Sequence, residues 1–189
     1  MKEKKVYMFS FIAVVLLIAA DQLTKYLAVI KLKNQNAVVL IKNVFELQYL
    51  ENRGAAFGIF QDKKIILVLI TLVFLWFLGW FYHKIPKEKH FNLMRCVCIV
   101  LFAGAVGNMI DRIAYDYVID FFYFKLIDFP IFNVADIYVT ISCALILIMI
   151  LFSYYKDEDF ERIFPSGKSA GGKAKAMKEA GKDGSEKGE

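Results

Sequence analysis

The stretch Gly107–Asp136, GNMIDRIAYDYVIDFFYFKLIDFPIFNVAD, joins the end of one apolar run to the start of the next and carries five aspartates: Asp111, Asp116, Asp120, Asp128 and Asp136. In a soluble protein it reads as an acidic loop. Its flanks, Cys96–Ile110 and Ile137–Tyr155, are apolar enough to lie in lipid. An ionisable group is costly there, so its presence is by default a functional signal. Two carboxylates meeting at a membrane boundary can share one proton and activate a water.

The rest of the chain agrees with a membrane setting. Its 189 residues are 58% hydrophobic with mean hydropathy +0.47, more apolar than an ordinary soluble domain. The excess gathers in four runs, Val6–Ile30, Ile65–Tyr82, Leu93–Ile113 and Val134–Tyr155. Each is near the roughly 20 residues a helix needs to cross a bilayer. Only helices or closed barrels satisfy their backbone in lipid, and these runs lack the alternation of barrel strands. The sequence therefore predicts an all-α membrane protein with four transmembrane helices. The first run is longer than a signal-peptide core and lacks a small-residue cleavage site, so a retained span is expected. The membrane domain is expected over residues 1–165, with residues 31–64 outside the bilayer. Residues 166–189, rich in Gly, Lys, Ala and Glu, have too little apolar surface to fold and are expected to form a disordered cytoplasmic tail.

The net charge of +5 gains meaning when placed along the chain. Lys2, Lys4 and Lys5 precede the first run, and Lys84, Lys87, Lys89 and Arg95 surround the second turn. With four spans these fall on one side, together with the basic tail, which favours cytoplasmic termini and an outer-face position for the aspartates. Lys31, Lys33, Lys42, Arg53, Lys63 and Lys64 in the first loop weaken that bias. Basic and aromatic residues do not interleave on one face, so a nucleic-acid partner is not expected. Cys96, Cys98 and Cys143 lie inside apolar runs. They suit buried small hydrophobes better than a disulfide framework or a zinc site. His83 and His90 sit in the short polar turn and are read as solvated.

Several local patterns narrow the chemistry. Asp21 and Lys25 are four apart and share a helix face. Spacing alone favours an ion pair near the interface with Lys25 reaching toward water, over a pair that orders the mouth of a site. Ala37–Ile41 and Val44–Leu50, separated by Lys42–Asn43, read as a small hairpin on the membrane surface. Glu51–Phe60 follows, with Phe57, Ile59 and Phe60 suited to a short amphipathic interfacial helix. Ala103, Gly104, Ala105 and Gly107 allow close helix approach, and Asn108, Asp111 and Arg112 share one face beyond them. After Pro130, Asn133 is placed to cap the fourth span, leaving Asp136 in its first turn.

No G-x-S-x-G elbow occurs, both histidines lie opposite the aspartates, and G-x-G-D and Walker A patterns are absent. Carboxylates and amides remain. Asn108 and Asn133 suit the surroundings of an aspartate pair, since an amide both donates and accepts without adding charge. Asp116 and Asp128 have no amide beside them and read as solvated. Asp111 and Asp120 both compete for the place next to Asp136. Arg112 is expected to hold Asp111 ionised, whereas Ile119, Phe121 and Phe122 give Asp120 a drier setting. Intramembrane aspartates also serve proton-coupled transporters, but internal repeats and interrupted midplane helices are missing from this pattern.

In order along the chain, Asp21-Gln22-x-x-Lys25, Asn52-x-Gly54-Ala55-Ala56-Phe57, Gly107-Asn108-x-x-Asp111-Arg112, Val118-Ile119-Asp120-Phe121 and Phe132-Asn133-x-Ala135-Asp136 resemble the motifs of the lipoprotein signal peptidase (signal peptidase II) family. The resemblance covers about Asp21 to Tyr155. It implies an aspartyl endopeptidase of the bacterial inner membrane, cutting diacylglyceryl-modified prolipoprotein just before the lipidated cysteine. The catalytic pair falls on Asp120 and Asp136. Asn52, Gly54, Asn108, Arg112 and Asn133 fall among the substrate-binding or supporting residues, and Asp21 and Lys25 match the first motif. The resemblance also implies a β-cradle and interfacial helix over Lys31–Phe60 and inhibition by globomycin-like cyclic peptides. No cofactor or metal is implied, and a monomer is expected. Arg53 departs from the family, which often has an aromatic or small residue there, and the polar tail is longer than in many members.

Overall fold

In the computed structural model, which describes residues 2–54, 60–152 and 154–165, four helices are long and apolar enough to cross a membrane. They are α1 (Lys2–Leu32), α2 (Lys64–Lys84), α3 (Asn92–Tyr115) and α4 (Val134–Leu151). Their outer faces carry exposed apolar side chains such as Phe11, Ile65 and Trp76, as expected of surfaces that face lipid. The chain divides into two units, residues 1–148 and 149–189. The second contains the end of α4 and a short helix α5 (Asp157–Ile163), whose start is tied by the Lys156 backbone N–H donating to Asp159 Oδ2 at 3.1 Å. The fourth span thus ends at Leu151 rather than Tyr155. The predicted interfacial helix rests largely on residues 55–59 and the predicted disorder on residues 166–189, both outside the described residues.

Among the described residues the first unit also has three strands: β1 (Val38–Ile41), β2 (Phe45–Asn52) and β3 (Val118–Tyr123), in the order β1-β2-β3 with antiparallel pairs. The β1–β2 hairpin turns at Asn43, whose φ of 60° lies in the left-handed region that asparagine tolerates. The third strand goes beyond the hairpin that the sequence predicts. Val118, Ile119, Phe121, Phe122 and Tyr123 are β-branched or aromatic, and this preference for pleated, packed surfaces outweighs the aspartate among them. The chain reaches β3 from α3 through Asp116, which ends the helix at φ 70° and pairs with Lys64 at 2.5 Å. Ile119 and Phe121 then pack with Ala28 and Leu32 at the end of α1, so the sheet sits on that helix end.

The small residues of α3 predict close helix contact, and it is found. A Cβ on Gly104 would lie 2.6 Å from the Ala135 carbonyl oxygen, and one on Gly107 would lie 2.6 Å from Asp21 Oδ2. α3 therefore packs directly on the first turn of α4 and on the polar part of α1. The opposite end of α3 is fixed by Arg95, which is buried and donates to the Pro86 and Glu88 carbonyls and the Asn92 side chain. It organises the turn between α2 and α3 rather than standing in solvent. Cys98 is buried as expected, but Cys96 and Cys143 are exposed. Apolar helices place small hydrophobes on their lipid-facing surfaces as readily as inside.

Candidate active site

Backbone pairing brings the two halves of the site together. Phe132 donates to the Phe122 carbonyl at 3.0 Å, and Phe122 donates back to Phe132 at 2.8 Å. This antiparallel bridge carries the chain past β3 and sets Asn133 beside Asp120. Asn133 then caps α4: its Oδ1 accepts from Asp136 N at 3.0 Å, and Asp136 Oδ2 accepts from Asn133 N at 3.0 Å. The reciprocal pair is a capping box. Capping and siting of Asp136 are thus one arrangement.

Three asparagines surround the two carboxylates. Asn133 Nδ2 donates to Asp120 Oδ1 at 2.6 Å and Asn52 Nδ2 donates to Asp120 Oδ2 at 2.9 Å. Asn108 Nδ2 donates to Asp136 Oδ1 at 2.7 Å. Asn52 is held in turn by the Gly54 N–H, which donates to its Oδ1 at 3.0 Å. Arg112 donates to the Gly54 carbonyl at 3.0 Å, tying the end of β2 to α3. Asp120 is 1% exposed. Burial pushes its carboxyl up to about 7, and the nearby Asp136 charge adds to the rise.

Below this pair lies a second polar cluster that sequence spacing describes only in part. Lys25, 1% exposed, does not reach for water. Its Nζ lies 3.0 Å from Asp21 Oδ2 and 2.9 Å from Asp111 Oδ2, and donates to Asn108 Oδ1 at 3.0 Å. The cation paired with Asp111 is therefore Lys25, across the α1–α3 interface. Arg112, its neighbour in sequence, is occupied with Gly54 and the Asn108 carbonyl. Asp111 also accepts from Ile119 N at 3.1 Å, fastening the start of β3. Asp21 Oδ1 accepts from Ala135 N at 2.9 Å in the first turn of α4, where the helix dipole favours an anion. Gln22, absent from the set of expected site residues, donates to Asp111 at 2.9 Å and to the Gly107 carbonyl at 3.3 Å. Its place in the Asp-Gln-x-x-Lys motif is the available signal. Asp116 and Asp128 are exposed and lie outside the cluster, paired with Lys64 and the Tyr123 hydroxyl.

Asp111→Asn is expected to lower the thermal unfolding midpoint in detergent. Removing one partner of a buried ion pair costs about 3–5 kcal/mol, and the amide also weakens the anchor of β3. A midpoint equal to that of the parent protein would contradict this role.

The carboxylate pair opens into a cleft of about 890 Å³. Asn52, Asn108, Arg112, Asp120 and Asp136 line its polar part. Ile137, Val139 and Ile141 of α4, with Phe124, Ile127 and Phe129, line its apolar part. Such a cleft accepts a molecule that is polar at one end and apolar along its length.

The family profile described as signal peptidase (SPase) II matches residues 13–152. The lipoprotein signal peptidase of Clostridium tetani is 42% identical over 153 residues, covering 79% of this chain and 94% of that protein. That of Streptococcus pneumoniae is 39% identical over 140 residues, covering 74% and 90%. A bacterial membrane enzyme solved by the in meso method at 2.3 Å resolution superposes with a TM-score of 0.68 at 34% identity, covering 79% of this chain and 92% of its own. With the fold and most of the length in common, the chain belongs to the signal peptidase II family and is a multi-pass membrane peptidase.

Proposed function

We propose that this protein is an aspartyl endopeptidase that removes the signal peptide from lipid-modified prolipoproteins, with Asp120 and Asp136 as its acid–base pair. The observation that carries the reading is the pair itself: two carboxylates linked through Asn133 at the polar end of an apolar cleft. Like charges this close do not both ionise easily, so one carboxyl keeps a proton. Asp120, with its raised affinity for a proton, is the acid. Asp136 takes a proton from water as the water oxygen attacks the scissile carbonyl carbon. Asp120 donates its proton to the carbonyl oxygen. On collapse of the tetrahedral intermediate the C–N bond breaks, the proton held by Asp136 passes to the leaving nitrogen, and Asp120 recovers its own. Asn52, Asn108 and Asn133 hold the carboxylates through both steps.

The substrate class follows from the apolar wall and from the lipoprotein signal peptidases to which the chain is similar. Two acyl chains on the cysteine would anchor the scissile bond at the depth of the carboxylates, and cleavage would fall just before that cysteine. Burial stabilises by about 0.8 kcal/mol per methylene. Even four methylenes held in the cleft change kcat/KM by on the order of a hundredfold. Prolipoprotein bearing unmodified cysteine should therefore be cut at least that much more slowly. Equal rates for the two forms would remove the lipid from the account. Cyclic lipopeptides of the globomycin type fit the same cleft as inhibitors, and the protein acts as a monomer.

Orientation follows from the basic residues near the termini and at the α2–α3 turn. The termini lie in the cytoplasm and the carboxylate pair at the outer face of the bacterial inner membrane. A reporter fused after Tyr155 should report the cytoplasm, and one placed within residues 31–64 the opposite side. The reverse pattern would place the site on the wrong face.

A further inference from the structure

The buried ammonium of Lys25 is used by none of the steps above, yet one of its three partners is the amide that contacts Asp136. An ammonium has three donors and no acceptor, so the atom of Asn108 that faces it must be the oxygen. Asn133 Nδ2 donates to that same oxygen at 3.0 Å. With the oxygen turned toward two donors, the Asn108 amide nitrogen is left facing Asp136 Oδ1 at 2.7 Å. We propose that Lys25 is a positioning residue that sets the direction of the Asn108 amide, so that Asp136 always meets a donor and is kept ready as the base.

The surroundings explain why a buried cation is needed for this. Lys25 is held by Asp21 and Asp111, which fix its position and offset its charge where water is excluded. Without the ammonium, Asn133 Nδ2 alone would hold the Asn108 oxygen, and against that single bond the two carboxylates would attract the amide nitrogen and draw it away from Asp136. The amide oxygen would then turn toward Asp136, an arrangement that requires a proton between them. Other charged groups facing Asp136 are Arg112 from α3 and Asp120 from β3, and both remain in place.

The inference rests on Asp120 and Asp136 being the acid–base pair, and the variants separate the two claims. Lys25→Met and Lys25→Gln remove the same charge and have similar bulk, but only Gln can still present an N–H to the Asn108 oxygen. Turnover of lipid-modified prolipoprotein is measured across pH for each, with Asp136→Asn as the control for the acid–base pair itself. Misorientation at a reacting group costs on the order of 10²-fold, so Lys25→Met should lose about that much kcat, with little change in KM. Its loss of activity on the acid side should also begin at higher pH. Lys25→Gln should retain several-fold more activity with its acid limb near that of the parent. Equal kcat and unshifted pH profiles in the two variants would reduce Lys25 to a charge balance and overturn the proposal. If neither folds, Asn108→Asp decides, because it keeps an oxygen for Lys25 while presenting a second oxygen to Asp136. It should be inactive at neutral pH and recover as the pH is lowered; unchanged neutral-pH activity overturns the proposal. Retained turnover in Asp136→Asn would instead reject the acid–base pair, independently of Lys25.

Discussion

Asp120→Asn and Asp136→Asn are each expected to abolish turnover while the protein still inserts and still binds a lipopeptide inhibitor. Losing a positioned general acid or base costs about 10²–10⁴-fold, and here each variant also removes the partner with which the other shares a proton. An amide matches either carboxyl in size and keeps one of its two hydrogen bonds, so the fold should survive at a modest cost in stability. In Asp120→Asn the single amide oxygen can accept from only one of Asn52 Nδ2 and Asn133 Nδ2, and in Asp136→Asn it can still accept the capping N–H of Asn133 but loses the bond from Asn108 Nδ2. Asp116→Asn and Asp128→Asn should leave activity unchanged, since both aspartates are exposed and neither lines the cleft. Asp111→Asn should lose stability and keep measurable turnover. The acid role of Asp120 adds a pH signature. Its proton is retained up to about 7 and lost above it, so activity of the parent protein should fall as pH rises through that value. A folded, inactive Asp111→Asn beside an active Asp120→Asn would assign the pair to the wrong aspartates.

The second large effect is expected at glycines distant in sequence from both carboxylates. In Gly104→Ala the new methyl would stand 2.6 Å from the Ala135 backbone oxygen and 3.0 Å from Val139 Cγ2. A backbone carbonyl in the first turn of α4 cannot swing aside as a side chain does, so the helix must shift. Asp136 belongs to that turn. Overpacking of this kind costs about 1–3 kcal/mol or more, which outweighs the roughly 1 kcal/mol that alanine gains over glycine within a helix. Gly107→Ala drives its methyl to 2.6 Å from Asp21 Oδ2 and so into the Lys25 cluster. Both variants should show lower thermal midpoints and much reduced turnover. Gly79→Ala is the control, since nothing lies within 4 Å of its Cβ position, and it should be neutral or slightly stabilising. A Gly104→Ala protein as stable and active as the parent would show that α3 and α4 have slack at this contact.

These outcomes depend on features that differ in how far sequence reveals them. The four apolar runs are legible because lipid imposes length and composition on any helix that crosses it. The β1–β2 hairpin is legible from a local turn and alternating strands, and Asn133 with Asp136 from capping chemistry, which spans only four residues. The third strand is harder. Val118–Tyr123 has strand-forming side chains, but its partner β2 lies about 70 residues away, and Asp120 breaks the apolar pattern at the position that matters. The Lys25 cluster shows the limit most clearly. A spacing of four residues pairs Lys25 with Asp21, yet the burial of both and the reach of Lys25 to Asp111 and Asn108 arise only when α1 meets α3. The same holds for Gly107, whose missing side chain makes room for Asp21 from another helix.

The most direct measurement is the mass of the product released from one defined substrate. Purified protein is incubated in detergent or lipid with a diacylglyceryl-modified prolipoprotein, and the new N-terminus is identified by mass spectrometry. A single cut is expected, leaving the lipid-bearing cysteine as the first residue of the mature chain, in the parent protein and in neither Asp120→Asn nor Asp136→Asn. A substrate left intact by folded parent protein, a cut at another bond, or the same product from either variant would contradict the assignment of this chain as a lipoprotein-processing aspartyl peptidase.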